Sequence, residues 1–216
     1  MKIRDIYFNK RKCFVSLIIA SLCIVVTVIS FIFPDMYTSL AYAYPIKYPW
    51  QLLTGVFLHG SPVLSTAGSI GHLLFNLLLV LPFGIMVEKV IGSKKFLIGT
   101  LFFWIINLIA FYVGAYFTIS SGDNLYGAGI SGVAFSYGII GAYVLFTLFR
   151  KVKTQMFRQV SFYLLANIII IMFIMINPYV AGIQSMIAHL IAVFAGIIYT
   201  FIIRKDIDKY SKLYPR

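Results

Sequence analysis

The chain has 216 residues, of which 61% are hydrophobic and 11% charged. Soluble domains average about 45–50% apolar and about 25% charged residues, so this composition excludes a soluble globular protein and requires helices that cross a bilayer. The formal net charge of +12 raises nucleic acid as a partner, but the placement of the charges along the chain argues for no nucleic-acid role.

Lys2, Arg4, Lys10, Arg11 and Lys12 precede an apolar run over 13–33. The run lacks a small-residue cleavage site, so it reads as an anchor rather than a removed signal peptide. Cys13 and Cys23, the only cysteines, fall on this helix about 15 Å apart by helical rise, too far for a disulfide. Residues 34–69 form a long connection carrying Tyr42, Tyr44, Tyr48 and Trp50, aromatic residues that favour the headgroup layer. Five further apolar runs follow, over 70–87, 96–119, 128–149, 160–177 and 183–203, each long enough to span. Residues 120–127 and 178–182 read as turns. Lys89, Lys94 and Lys95 follow span two; Arg150, Lys151, Lys153 and Arg158 follow span four; Arg204, Lys205, Lys209, Lys212 and Arg216 follow span six. Only Lys47 falls on the other side, so seventeen of the eighteen cations share one face and the termini are expected to be cytoplasmic. The charge excess is thus an orientation signal. The expected organisation is a tail over 1–12, one six-helix membrane domain over 13–203 and a tail over 204–216, in a bacterial-type plasma membrane; the oligomeric state is left open.

Spans two, four and six all start at the outer face, and each carries polar residues near that start: His72 and Asn76, Ser131, and His189. Counted from the helix starts they lie about 5–12 Å below the surface. Polar groups inside a membrane are costly unless they face protein or water, so three helices placing them in one layer point to a shared, water-accessible pocket. Ser131 sits in Gly129-Ile130-Ser131-Gly132; taken alone, such a serine is more often a helix cap or a packing spacer. Ser131, Phe135, Gly138 and Ala142 form one stripe on span four, and His189, Ala192 and Gly196 form another on span six. The small residues in both let two backbones approach closely, bringing Ser131 and His189 within hydrogen-bond reach, the minimum for an activated serine. His72 and Asn76, at i and i+4, share a helix face and are placed to hold a developing oxyanion with the Ser131 N–H. No acidic residue lies well inside a span; Asp123 is on the correct side but in a turn-rich stretch, so a dyad is the simpler expectation. Asn107 and Asn167 read as helix–helix hydrogen bonders away from this layer, Gln184 as a residue at the pocket mouth or an interfacial cap, and Glu88 with Lys89 as organisers of a turn. Ligand-type side chains never cluster by fours, so no metal is expected, and no cofactor.

These residues resemble the rhomboid intramembrane serine proteases over about Trp50 to Gly196. Gly129-Ile130-Ser131-Gly132 is similar to the family's Gly-x-Ser-Gly, Ala188-His189 followed by Gly196 to its sixth-helix motif, and His72-Leu-Leu-Phe-Asn76 to its His-x-x-x-Asn; Gly84 to Ser93 is similar to its Glu-containing segment. The resemblance implies an all-α polytopic membrane protein with a six-transmembrane-helix, rhomboid-like bundle. It implies Ser131 as nucleophile, His189 as base, His72 and Asn76 as oxyanion support, and Gly129, Gly132, Phe135 and Gly196 as packing support. It also implies transmembrane protein substrates cleaved near the outer face, in contact with membrane lipid. The chain departs from the family pattern in Trp50-Gln51 where Trp-Arg is common, in the long interval from His59 to His72, in Phe135 where a tyrosine is frequent and in Ala192 in place of a usual glycine. A non-catalytic rhomboid-like protein that binds or escorts membrane clients is the alternative. A small transporter is a third reading, disfavoured because no span is broken at its centre.

Overall fold

The computed structural model describes residues 11–60, 66–119, 124–150, 155–177 and 183–212; Asp123 lies outside them. Among the described residues six helices are long and apolar enough to cross a membrane. They are span one (Phe14–Ile32), span two (Thr66–Ile91), span three (Ser93–Thr118), span four (Ser131–Phe149), span five (Gln155–Ile176) and span six (Ile183–Ser211). The architecture is the all-α six-span bundle expected from the sequence. Span six continues past the apolar run ending at 203, because Ile203, Ile207 and Tyr210 recur at helical spacing and are buried against the bundle.

Span four is the central and most buried helix. Its Tyr137 hydroxyl donates to the Phe96 carbonyl of span three at 2.6 Å and lies 2.9 Å from Thr100 Oγ1. Ser136 Oγ lies 2.8 Å from the Ala192 carbonyl of span six and 3.0 Å from its own Gly132 carbonyl. A Cβ on Gly196 would come within 2.8 Å of the Ser136 carbonyl oxygen, so spans four and six touch backbone to backbone. Ser131 and Phe135 of the expected stripe do meet His189 of span six, and Ser136 and Ile139 pack on Gly196, but Gly138 faces away: a Cβ there would meet Leu79 of span two at an ordinary 3.8 Å. Span two carries a π-helical turn over Val80–Gly84 around Pro82, which has no N–H for the regular ladder and whose ring crowds the preceding turn.

The basic ends of the spans are joined by side chains that satisfy helix termini. Cys13, before span one, makes no side-chain cap. The buried Glu88 carboxylate of span two supplies it instead, accepting from the Val15 N–H (3.1 Å), the Ser16 N–H (2.8 Å) and the Ser16 hydroxyl (2.7 Å), and also from Ser93 Oγ (2.6 Å). A carboxylate at orphaned N-terminal amides is favoured by both hydrogen bonding and the helix dipole. Lys95 pairs with Asp206 at 2.7 Å, and Arg11 donates to the Lys89 and Val90 carbonyls, each at 3.0 Å.

The connection between spans one and two is built rather than loose. It holds a short helix (Met36–Leu40), a strand β1 (Tyr42–Tyr44) and a turn of helix (Gln51–Thr54). β1 pairs antiparallel with β2 (Leu125–Gly127), Ala43 opposite Tyr126, which ties the connection to the segment leading into span four. Gln51 braces it: Oε1 accepts from the Lys47 and Tyr48 N–H groups, both at 3.0 Å, and Nε2 donates to the Thr38 carbonyl at 2.8 Å. The glutamine thus satisfies three backbone groups where the family pattern has an arginine. Tyr48 and Trp50 are exposed and stacked, as headgroup-layer residues are expected to be, whereas Tyr42 is buried against Phe111. Asn167 bonds the Tyr163 carbonyl of its own helix and is exposed, so it is not the interhelical link expected from its mid-span position.

Because hydrogen bonds to a charged acceptor contribute about 1.5–3 kcal/mol each, Glu88→Ala is expected to lower unfolding stability in detergent by about 3 kcal/mol. Glu88→Gln, which keeps one good acceptor, should lose roughly half of that. Thermal unfolding followed by circular dichroism measures both.

Candidate active site

Ser131 is the first residue of span four, and the turn before it is shaped by Gly129 at φ +118°, a backbone region that L side chains rarely adopt. The Gly129 N–H donates to the Gly55 carbonyl at 2.9 Å. The next amide, Ile130 N–H, donates to His59 Nε2 at 3.5 Å. The His59 Nδ1 lies 3.2 Å from the Phe57 carbonyl, which can only accept, so Nδ1 carries the proton and Nε2 is the acceptor. His59 is fully buried, and burial, with the His72 imidazole next to it, holds its pKa down to about 3.

His189 Nε2 stands 2.9 Å from Ser131 Oγ, and its Nδ1 stands 2.8 Å from the Met175 carbonyl. Met175 is the penultimate residue of span five, where carbonyls have no partner within their own helix. That carbonyl can only accept, so Nδ1 bears the proton and Nε2 is left to accept the serine hydroxyl. The carbonyl also sits at the negative end of the helix dipole, which favours positive charge on the ring. The Phe135 ring lies parallel to the imidazole at 4.4 Å and 7° and fixes its plane. Serine, imidazole and an orienting acceptor are thus in line, with a backbone carbonyl in the place where a carboxylate often stands.

The cavity at this pair is about 110 Å³ and is lined also by Tyr42, Asn107, Tyr126 and Gln184. Asn107 is therefore a site residue, contrary to the reading that set it away from the polar layer. A Cβ on Gly132 would lie 2.3 Å from Asn107 Oδ1, so the glycine after the serine is what admits the amide. Its mid-span position concealed this, because only the packing of span three against span four brings it to Gly132. Gln184 lines the mouth as expected and is hydrogen-bonded to Thr118 Oγ1.

His72 and Asn76 lie on the other side of the Gly129 turn. A Cβ on Gly129 would be 3.0 Å from His72 Cε1, and the His72 and His59 rings meet edge to face at 5.2 Å. Asn76 is fully buried; its Nδ2 donates to the His72 carbonyl at 3.0 Å, and its Oδ1 has no protein partner among the described residues. An amide nitrogen has two hydrogens, so one remains after the bond to His72. Neither residue lines the cavity around Ser131 and His189. His72 packs against Gly129, two residues before the serine.

Gly129→Ala forces a side chain into positive φ and against the His72 ring, and is expected to cost about 2 kcal/mol of unfolding stability. A second outcome concerns pH. A His59 pKa of about 3 against an ordinary 6.5 means that the folded state binds the proton less readily than the unfolded one. Its contribution to stability is complete above pH 6.5 and is lost as pH falls from 6.5 toward 3, at up to about 1.4 kcal/mol per pH unit. Thermal melts at a series of pH values should show a shallower acid slope for His59→Gln than for the wild type.

With the geometry in hand, comparison with known proteins is informative. A family model, the Rhomboid domain, matches residues 47–206, which covers spans two to five, most of span six and the part of the first connection from residue 47 onward. No curated protein matches the chain. The match takes in Gln51, His59, Glu88, Ser131 and His189 together, and the chain belongs to the rhomboid family.

Proposed function

We propose that this integral multi-pass membrane protein is an intramembrane serine endopeptidase. Rhomboid proteins are typically intramembrane proteases and include non-catalytic members, so the reading rests on the site. Its principal support is the 2.9 Å contact between Ser131 Oγ and a His189 whose other nitrogen is held by the Met175 carbonyl. In this mechanism Ser131 Oγ attacks a scissile carbonyl while His189 Nε2 takes its proton, giving a tetrahedral intermediate. The Ser131 N–H is unpaired by position at the helix start, and with His72 and the second hydrogen of Asn76 Nδ2 it receives the oxyanion. Each such donor is worth about 3–4 kcal/mol of barrier. The imidazolium is stabilised by the Met175 carbonyl and by the face of Phe135. It returns its proton to the leaving amine, and a water activated by the same nitrogen releases the acyl group.

A helical peptide bond is shielded from such attack, so the substrate is a transmembrane segment that unwinds locally. Cleavage falls near the face opposite the basic ends, with both termini of the protease cytoplasmic as the charge distribution supports.

Ser131→Ala and His189→Ala are each expected to reduce cleavage of a reporter membrane protein by at least about 10³-fold, and His72→Ala or Asn76→Ala by about 10²-fold. A fluorophosphonate or isocoumarin probe should label Ser131 in the wild type and not in His189→Ala. Equal cleavage by wild type and Ser131→Ala overturns the proposal and leaves the client-binding reading.

A further inference from the structure

A second concavity opens on another side of the molecule from the Ser131–His189 cavity. It is a groove of about 510 Å³ between span one, span three and the connection over 51–57. Span one lines it with Phe14, Ile18 and Leu22, span three with Leu97, Leu101 and Trp104, and the exposed lining is wholly apolar. Phe14 and Leu97 stand at the basic ends of their helices, whereas Leu53, Val56 and Phe57 close the far end against Ile130. From Phe14 to Leu22 the helical rise is about 12 Å, and from Leu97 to Trp104 about 10 Å. The hydrocarbon of one leaflet is about 15 Å deep, half of the whole core. The groove therefore runs along the membrane normal through most of the leaflet at the basic face, and Leu53, Val56 and Phe57 act as its ceiling.

Cations precede both helices that wall the groove at that face. Lys12 lies two residues before Phe14 and Lys94 three before Leu97, and both are exposed. The neighbouring cations are engaged elsewhere, Lys95 with Asp206 and Arg11 with the Lys89 and Val90 carbonyls. An apolar slot about one leaflet deep, with an exposed lysine just before each of the two helices that wall it, matches a lipid tail below an anionic head. We propose that the groove is a binding site for one acyl chain of an anionic phospholipid from the leaflet at the basic face, its phosphate held by Lys12 and Lys94. The tail ends against Ile130, the residue before Ser131, so the site links lipid identity to the turn that presents the serine. The proposal does not depend on catalysis.

The chain has two tryptophans, and Trp104 lines the groove. Trp50→Phe keeps an aromatic ring against Tyr48 and leaves Trp104 as the sole reporter. This variant is reconstituted in phosphatidylcholine vesicles containing either phosphatidylglycerol or phosphatidylcholine brominated at mid-chain, and Trp104 quenching is recorded against mole fraction. Half-maximal quenching is expected at a roughly tenfold lower fraction of the brominated phosphatidylglycerol. Adding Lys12→Gln and Lys94→Gln, both at exposed positions, should bring the two curves together. Adding Ile18→Phe and Leu101→Phe, which fill the slot, should abolish quenching by the anionic lipid at low fraction, with the thermal melt as a check on folding. Superimposed curves in the starting variant would mean ordinary annular contact and overturn the proposal, as would a preference untouched by the lysine changes. Absence of quenching by either lipid would mean that protein, a second copy included, covers the groove, and would equally overturn it.

Discussion

The close approach of spans four and six governs the site. At Ser136 and Gly196 the two helices meet with no side chain between them, and the Ser136 hydroxyl reaches the Ala192 carbonyl. In lipid there is no hydrophobic drive to hold two apolar helices together, so close backbone packing and interhelical hydrogen bonds supply the association. One turn above this contact the same two helices carry Ser131 and His189, and the short separation below sets the 2.9 Å separation above. A larger residue at 196 would push the Ser136 carbonyl away and open the hydroxyl–imidazole gap with it.

A second principle recurs around this contact: helix ends and connections that would leave backbone groups unpaired are satisfied by side chains from elsewhere in the fold. Glu88 caps span one from span two, Gln51 takes up three backbone groups of the first connection, His59 receives the Ile130 amide and His189 donates to the Met175 carbonyl. Each of these bonds replaces water that the membrane excludes, and an unpaired group there costs several kcal/mol. The orientation of His189 comes from this economy. The terminal carbonyl of span five needs a donor, the imidazole needs an orienting acceptor, and one hydrogen bond serves both. The connection before span two is drawn into the site by the same means, through the β1–β2 pair and the Gly129 amide bonded to Gly55.

Much of the chemistry was legible in the residues. The number of spans followed from apolar run length, and one helical face each carried Ser131 and His189, because helical period and membrane depth are written in residue order. Phe135 as a packing residue came only from the resemblance, and the structure stacks its ring on His189. Asn107 was not legible: its position along span three does not say which neighbour its side chain faces, and only the packing of span three shows it against Gly132. Tyr42 looked like a headgroup-layer aromatic and is a core residue, because β-pairing turned its ring inward onto Phe111.

By itself the sequence determined the class of molecule, the six spans and the side on which the charges gather, and it singled out the serine and histidine that the fold brings together. Those depend on composition and on periodicity within a single helix. The tertiary structure alone decided that Ser136 of span four meets Gly196 of span six, that a main-chain carbonyl of span five orients His189, that His72 packs against Gly129, and that an apolar groove opens between spans one and three. Those depend on distances between helices, and a backbone carbonyl carries no residue-type signal. In a bilayer such distances are set by close packing and the pairing of every polar group, which no single segment can reveal.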